Sequence, residues 1–328
     1  MEARFYKKLK GHVKCELCPH ECAIKDGQYG LCHARKNADG RLMSMVYGRP
    51  VSVNVDPIEK KPLYHFLPGS RAFSIGTAGC NLRCGNCQNW QISQAAAEDI
   101  LTEEMPPGRV AELAIENDCA SIAYTYNEPT IFHEYAADTA EIARKEGLKN
   151  VIVTNGYINE TPLGKWNIDA ANVDLKSFND NFYRENCSGS LEPVLRTILR
   201  LKKMGVWVEI TNLVIPGMSD DLKEIEDMCK WLSRYAGDTV IHFSRFFPNY
   251  KLPSIEPTPP ETLERARKIA LKHHSHVYLG NMETEGNNTY CPKCKELLVE
   301  RMWYTPSTDR IVGGKCPKCG HAIGGVWA

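Results

Sequence analysis

Residues 74–94 read SIGTAGCNLRCGNCQNWQISQ, and the organisation of the 328-residue chain follows from them. Cys80, Cys84 and Cys87 form a CxxxCxxC run directly after a short apolar segment, 72–75, that predicts a strand. Three thiolates at this spacing can each bind one iron of a cubane cluster, which leaves the fourth iron without a protein ligand. Zinc uses similar spacings, so the run alone leaves the two metals open. A cluster built only for electron transfer is closed by four cysteines, whereas a trio leaves an iron free to bind something else.

Composition narrows the choice of partner. Lysine plus arginine equals aspartate plus glutamate at 40 each, and no basic run is present. Neither nucleic acid nor a membrane surface is therefore the expected partner, and a small or peptidic ligand is. The start, MEARFYKKLKGH, lacks an apolar core segment, and no stretch of 18 apolar residues occurs, so the expected compartment is the cytoplasm. Of 14 cysteines, 11 fall in three tight groups with metal-ligand spacing, which fits a reducing compartment rather than a disulfide framework.

The first group is Cys15, Cys18, Cys22 and Cys32, in CELCPHECAIKDGQYGLC. Four sulfurs in a loop-rich segment can close a zinc site or hold a second, fully ligated iron–sulfur cluster, and the spacing does not separate these. Residues 37–55 predict a hairpin region with Asp39-Gly40 as its turn. Apolar runs at 72–75, 121–124, 150–154, 172–175, 206–213, 240–243 and 276–279 predict strands, with helical patterns between them. Leu191, Val194, Leu195 and Ile198 repeat at helical spacing before Gly205, and Leu222, Ile225, Cys229 and Leu232 do so after Ser219-Asp220-Asp221. Alternation of strand and helix predicts an α/β fold with a parallel sheet, here an open, partial (β/α)6 TIM-like barrel over residues 56–280. An N-terminal Cys-rich metal-binding module, 1–55, precedes it. A C-terminal module, 281–328, follows, in which Cys291, Cys294, Cys316 and Cys319 form two CxxC knuckles 21 residues apart, a zinc-ribbon-like pattern.

Chemistry in parallel α/β folds sits at the carboxyl ends of the strands. Asn127-Glu128-Pro129, Thr154-Asn155-Gly156, Asp174-Leu175-Lys176 and Ile215-Pro216-Gly217 each follow a predicted strand, and His242 lies within one. There Glu128 can accept from an ammonium group, Asp174 from ribose hydroxyls, and Lys176 can bind a carboxylate. Cys119 and Cys229 occupy apolar positions and read as core residues. Cys187, in YRENCSGS, falls where a thiol can face the cavity and relay a substrate radical, and is the candidate catalytic residue.

The order CxxxCxxC, NEP, TNG, DLK, IPG resembles the radical S-adenosylmethionine (SAM) superfamily, in the branch typified by pyruvate formate-lyase activating enzyme. More narrowly, CELCPHEC, DPIEKKPLYHFLPGS, CQNWQISQ and the closing GVWA resemble the radical enzyme of the AmmeMemoRadiSam system. The resemblance covers nearly the whole chain. It implies an oxidoreductase with a [4Fe-4S] cluster on Cys80, Cys84 and Cys87 whose open iron chelates SAM. Reductive cleavage there gives a 5′-deoxyadenosyl radical that abstracts hydrogen from a small-molecule or protein substrate. It also implies SAM contacts for Asn127, Glu128, Thr154, Asp174, Lys176 and His242, and an external electron donor such as a ferredoxin or flavodoxin. Memo-type and AMME-region-type proteins are the implied partners. The sequence departs from the pattern at Asn86, where an aromatic residue usually packs near adenine. Activation of a glycyl-radical protein is the alternative reaction, and a non-catalytic iron–sulfur or zinc scaffold or electron carrier is the alternative of another class.

Overall fold

A computed structural model describes residues 1–307 and 310–327. Thr308 and Asp309 lie outside the described residues, as does Ala328, the last residue of GVWA and of the expected C-terminal module. At the centre stands an eight-stranded sheet of β1 (Ser52–Pro57), β2 (Arg71–Gly76), β3 (Ser121–Tyr124), β4 (Lys149–Thr154), β5 (Ala170–Asp174), β6 (Trp207–Val214), β7 (Val240–Arg245) and β8 (Val277–Gly280). Neighbours in space are neighbours in sequence from one edge to the other. Strands β2 to β8 run parallel, and β1 pairs antiparallel with β2, Val55 opposite Phe73. Every run predicted as a strand lies in this sheet. Residues 52–55, expected in the hairpin region, belong instead to β1 at the sheet edge; the expected hairpin is confined to Arg35–Ala38 and Arg41–Ser44, turning at Asp39 and Gly40, both with positive φ.

Strands buried on both faces lose the alternation that marks a half-exposed strand, and β3 is buried at all four positions. Helices α1 (Pro107–Glu116), α2 (His133–Lys145), α3 (Leu191–Lys203), α4 (Leu222–Tyr235) and α5 (Pro260–Ala270) link consecutive strands. Two of the sequence signals are visible as geometry. The Asp221 carboxylate caps α4 by accepting from the amides of Lys223 and Glu224, and Gly205 takes a φ of 75° just beyond α3. Among the described residues no helix is long and apolar enough to cross a membrane.

Buried polar contacts tie the flanking segments to the sheet. On the N-terminal side, Arg35 reaches both carboxylate oxygens of Glu134 on α2 at 2.6 Å, with the two side chains 1% and 0% exposed. Glu134 also accepts from the amide of Arg4 at 2.6 Å, and Arg35 donates to the Arg4 carbonyl at 2.9 Å. Burial alone raises a carboxyl's pKa, but the Arg35 charge outweighs it and holds Glu134 below its ordinary range. On the other side, Glu209 of β6 accepts from the amides of Tyr64 and His65 at 3.0 and 2.8 Å, from Trp207 Nε1 at 2.9 Å, and pairs with His242 Nε2 at 2.6 Å. The segment so held carries the tail: Arg301 donates to the Tyr64 carbonyl at 2.9 Å, and Val326 exchanges backbone hydrogen bonds with His65 and Leu67, each 2.7 Å.

Both ties make measurable predictions. Arg35→Met leaves Glu134 buried and uncompensated, and is expected to lower stability by about 3–5 kcal/mol, read as a shift of the urea unfolding midpoint. Burial opposes ionisation of Glu209, but the His242 contact and the donors around it bring its pKa from 4.5 down to about 2. A depressed carboxyl stabilises the fold fully above its unfolded pKa and loses that contribution as pH falls through the folded value. Urea midpoints of the metal-free protein should therefore fall between pH 4.5 and about 2 more steeply than those of Glu209→Gln.

Candidate active site

The cysteine loop leaves β2 through two glycines whose side chains are excluded by contact. A Cβ on Gly76 would stand 2.6 Å from the Thr125 carbonyl oxygen, and one on Gly79, where φ is +94°, would drive into the carbonyl of Cys32. The loop is thereby pressed between the end of β3 and the N-terminal module. Cys80 Sγ accepts from the Leu82 amide at 3.4 Å and lies 3.9 Å from Asn155 Nδ2. Cys87 Sγ lies 3.6 Å from Ser93 Oγ. All three sulfur-bearing residues face one cavity of about 540 Å³. Among the described residues, the four tail cysteines form the one group of three or more metal-ligating side chains whose ligand atoms all lie within 4.8 Å of one another. Cys80, Cys84 and Cys87 line one cavity, and a cluster would take each thiolate on a different iron.

Successive strand ends line the rest of this cavity. Asn127 follows β3, Asn155 follows β4, Asp174 and Lys176 close β5, Thr211 lies on β6 and His242 on β7. Asn127 donates to the carbonyls of Thr77 and Gly79 at 2.6 and 2.7 Å, while its Oδ1 is buried and has no partner. Thr211 Oγ1 is likewise buried and unpartnered. Such atoms cost free energy unless a ligand supplies the missing bond. Lys176 Nζ stands 2.9 Å from Asp174. Burial disfavours its charge, yet Asp174 and the neighbouring thiols raise its pKa above the ordinary lysine value. His242, fixed by Glu209, packs edge-on against Tyr64 at 4.7 Å.

Three of the expected residues lie outside the cavity lining. Glu128 is fully buried and does not line the cavity; its carboxylate accepts from Thr130 N and Oγ1, Thr154 Oγ1 and Asn155 N. Thr154 spends its hydroxyl on Glu128 and also lies outside the lining. This pair sets the turn that presents Asn155 to Cys80. Cys187 is fully buried and turned away from the cavity, against Cys84. Its thiol donates toward the Cys84 sulfur, which draws Cys84 down to about 7 despite burial and pushes Cys187 far up. Asn86, where an aromatic side chain is usual, is buried and accepts from Asn186 at 2.8 Å.

The structure adds lining residues that the motifs did not single out. Glu59 is 1% exposed, its Oε2 has no partner, and burial pushes its pKa up to about 7, so it can hold or release a proton near neutrality. Tyr126 and Lys61 meet at Asp56, which accepts from both at 2.5 and 2.6 Å. Trp303 and Tyr304 reach the cavity from the tail. In that tail, Cys291 and Cys319 have their sulfurs 3.6 Å apart, as do Cys294 and Cys316. Metal–sulfur bonds of about 2.3 Å in a tetrahedron put thiolates roughly 3.8 Å apart, so the four fit a single ion.

Comparison with known proteins agrees with this geometry. The family model of the Radical SAM superfamily matches residues 74–232. An uncharacterized protein of Methanocaldococcus jannaschii is 44% identical over 328 residues, covering 98% of each chain. The pyruvate formate-lyase 1-activating enzyme of Escherichia coli is 24% identical over 234 residues, 64% of this chain and 91% of that one. In fold alone, a radical SAM methyltransferase from Sphaerobacter thermophilus matches with a TM-score of 0.51 at 15% identity, over 65% of this chain and 67% of that chain. With its cysteine loop at the carboxyl end of a parallel sheet and that family match across the same residues, the chain belongs to the radical SAM superfamily and is an enzyme.

Proposed function

We propose that the cavity binds SAM against a [4Fe-4S] cluster held by Cys80, Cys84 and Cys87, and that the enzyme abstracts hydrogen from a small-molecule or protein substrate bound beside it. The observation that carries this reading is a CxxxCxxC trio lining one cavity at the strand ends, beside buried acceptors that have no partner. When loaded, the cluster and SAM supply one-electron cleavage of a carbon–sulfur bond and, through it, hydrogen abstraction.

The protein's own groups bind and orient. Lys176 offers a partly exposed cation to the carboxylate of SAM, and Asp174 accepts from ribose hydroxyls. Asn127 Oδ1 accepts from the ammonium group in place of Glu128, whose lone pairs are already engaged. Asn155, oriented by Glu128 and Thr154, directs an N–H at Cys80, and His242 is held by Glu209 at the cavity wall. We read the open, sequentially wound sheet as a partial (β/α)6 barrel spanning 56–280, flanked by the modules 1–55 and 281–328. The tail's four cysteines hold zinc in a ribbon-like site. The motifs CELCPHEC and DPIEKKPLYHFLPGS support membership of the AmmeMemoRadiSam group, with Memo-type or AMME-region-type proteins as partners and a ferredoxin or flavodoxin as electron donor. Glycyl-radical activation is the second reading, favoured by the similarity to the Escherichia coli activating enzyme. An electron carrier would have no use for a 540 Å³ cavity at its cluster loop.

Anaerobically reconstituted, reduced protein should release 5′-deoxyadenosine from SAM, and Cys80→Ala, Cys84→Ala or Cys87→Ala should abolish it. No product from the iron-loaded wild type, or zinc in the trio, would sink the reading. Loss of one charged contact of about 1.5–3 kcal/mol corresponds to roughly 10- to 150-fold. Lys176→Met and Asp174→Asn are expected to raise the KM for SAM within that range at unchanged iron content. Mixing with a glycyl-radical protein and recording electron paramagnetic resonance separates the second reading by presence or absence of a glycyl signal. The purified chain should also carry about one zinc, lost in Cys291→Ser.

A further inference from the structure

Glu59 belongs to the wall of the catalytic cavity and takes no part in the SAM contacts described above. It sits in the single turn Ile58–Lys60 that follows β1. The chain beyond it is bonded low on the sheet: Asn172 of β5 donates to the Pro62 carbonyl at 2.8 Å, and Glu209 of β6 holds the amides of Tyr64 and His65. Asp174 and Thr211, each two residues further along the same strands, border the cavity. Alternate residues of a strand share a face, so the segment after Glu59 is anchored one layer deeper in the sheet than Asp174.

The Glu59 carboxyl is incomplete where it stands. The residue is 1% exposed, its Oε1 accepts from the Gly69 amide at 2.8 Å, and its Oε2 is buried without a partner. Both neighbouring lysines are spent on Asp56, Lys60 at 2.9 Å and Lys61 at 2.6 Å, and Lys61 also covers the face of Tyr126 at 4.6 Å. Arg301 directs its terminal nitrogens at the Asn287 and Tyr64 carbonyls and at Thr289. Its charge lowers the Glu59 pKa and that of Glu209 raises it, but burial outweighs both and brings the carboxyl up to about 7. Among the described residues bordering the cavity, the buried side-chain atoms without a partner are Glu59 Oε2, Asn127 Oδ1 and Thr211 Oγ1, and all three are oxygens. The cavity is therefore short of donors. Asn127 is accounted for by the ammonium of SAM, which leaves Glu59 and Thr211. Tyr64, Trp303 and Tyr304 supply aromatic surface to the same cavity. A carboxylate binds nitrogen cations through charge-assisted hydrogen bonds, and aromatic faces attract them.

We propose that Glu59 binds a cationic nitrogen group, guanidinium or ammonium, of the second substrate and holds that substrate at the deep wall of the cavity, apart from the groups that bind SAM. The word substrate rests on the reading of this cavity as the site of hydrogen abstraction; the binding of a cation at Glu59 does not. Leaving a buried carboxyl unpaired costs stability, and an arriving N–H donor with positive charge removes that cost.

The test is equilibrium dialysis of labelled methylguanidinium and n-propylammonium against the anaerobically reconstituted, SAM-loaded chain. At least one of the two cations should bind saturably. Its binding should tighten as pH rises through about 7, because the carboxyl must give up its proton to pair with a cation. N-Methylurea and n-propanol, neutral counterparts of similar shape, should show no saturable binding. Glu59→Gln keeps an oxygen for the Gly69 amide but removes the charge, and should weaken cation binding by about tenfold or more. Without any probe its thermal midpoint should equal or exceed that of the wild type, since the substitution removes an unpaired buried carboxyl. No saturable uptake of either cation, equal uptake of the neutral compounds, unchanged affinity in Glu59→Gln or a lowered midpoint in that variant would each overturn the proposal. Formation of 5′-deoxyadenosine by the same wild-type sample keeps the two readings apart. Its absence alongside Glu59-dependent uptake removes the catalytic reading and leaves the cation site, whereas its presence without such uptake removes the cation site alone.

Discussion

The carboxylate of Glu209, buried in the middle of the sheet, is the contact on which the arrangement of this enzyme depends. One side chain gathers four donors from three places: the amides of Tyr64 and His65 before the cysteine loop, the indole of Trp207 on its own strand, and His242 on the next. Desolvating a carboxylate is costly, and the cost is offset only when each lone pair is engaged. The segment preceding the cysteine loop is therefore fixed to the sheet in one position. The tail follows, because Arg301 and Val326 bind the same segment.

The same logic operates at Arg35 and Glu134 on the opposite flank, and at Glu128 between β3 and β4. Each buries a charge or carboxyl where loops from distant parts of the chain meet, so the groups that must be aligned around the cavity are aligned by directional bonds. Apolar packing makes the sheet and its helices; these polar contacts decide which way the loops lie across its carboxyl end. Cys80, Asn127, Asn155, Asp174 and His242 come together only because both operate at once.

Much of this was legible in the sequence. Strands buried on both faces read as apolar runs, and α3 announced itself by helical spacing before a glycine and α4 by helical spacing after a capping aspartate. The order of the motifs placed them correctly at successive strand ends. Which way a side chain turns was not legible: Glu128 and Thr154 sit at the right strand ends but point at each other, and Cys187 lies in the expected loop but packs behind Cys84. Glu209 gave no signal, since it stands among apolar neighbours in WVEITNLV and its partners are up to 145 residues away. Glu59 gave no signal either, since it stands among charged residues in DPIEKKP and nothing in that stretch marks it as buried.

The tail contributes more than a metal knot. Trp303 and Tyr304 sit at the turn between the strands Leu297–Met302 and Thr305–Ser307, between the two CxxC knuckles, and both border the catalytic cavity. The aperture of the cavity is therefore framed partly by a segment outside the sheet, so the girth of what can enter is set in part by this aromatic rim and not by the strand ends alone.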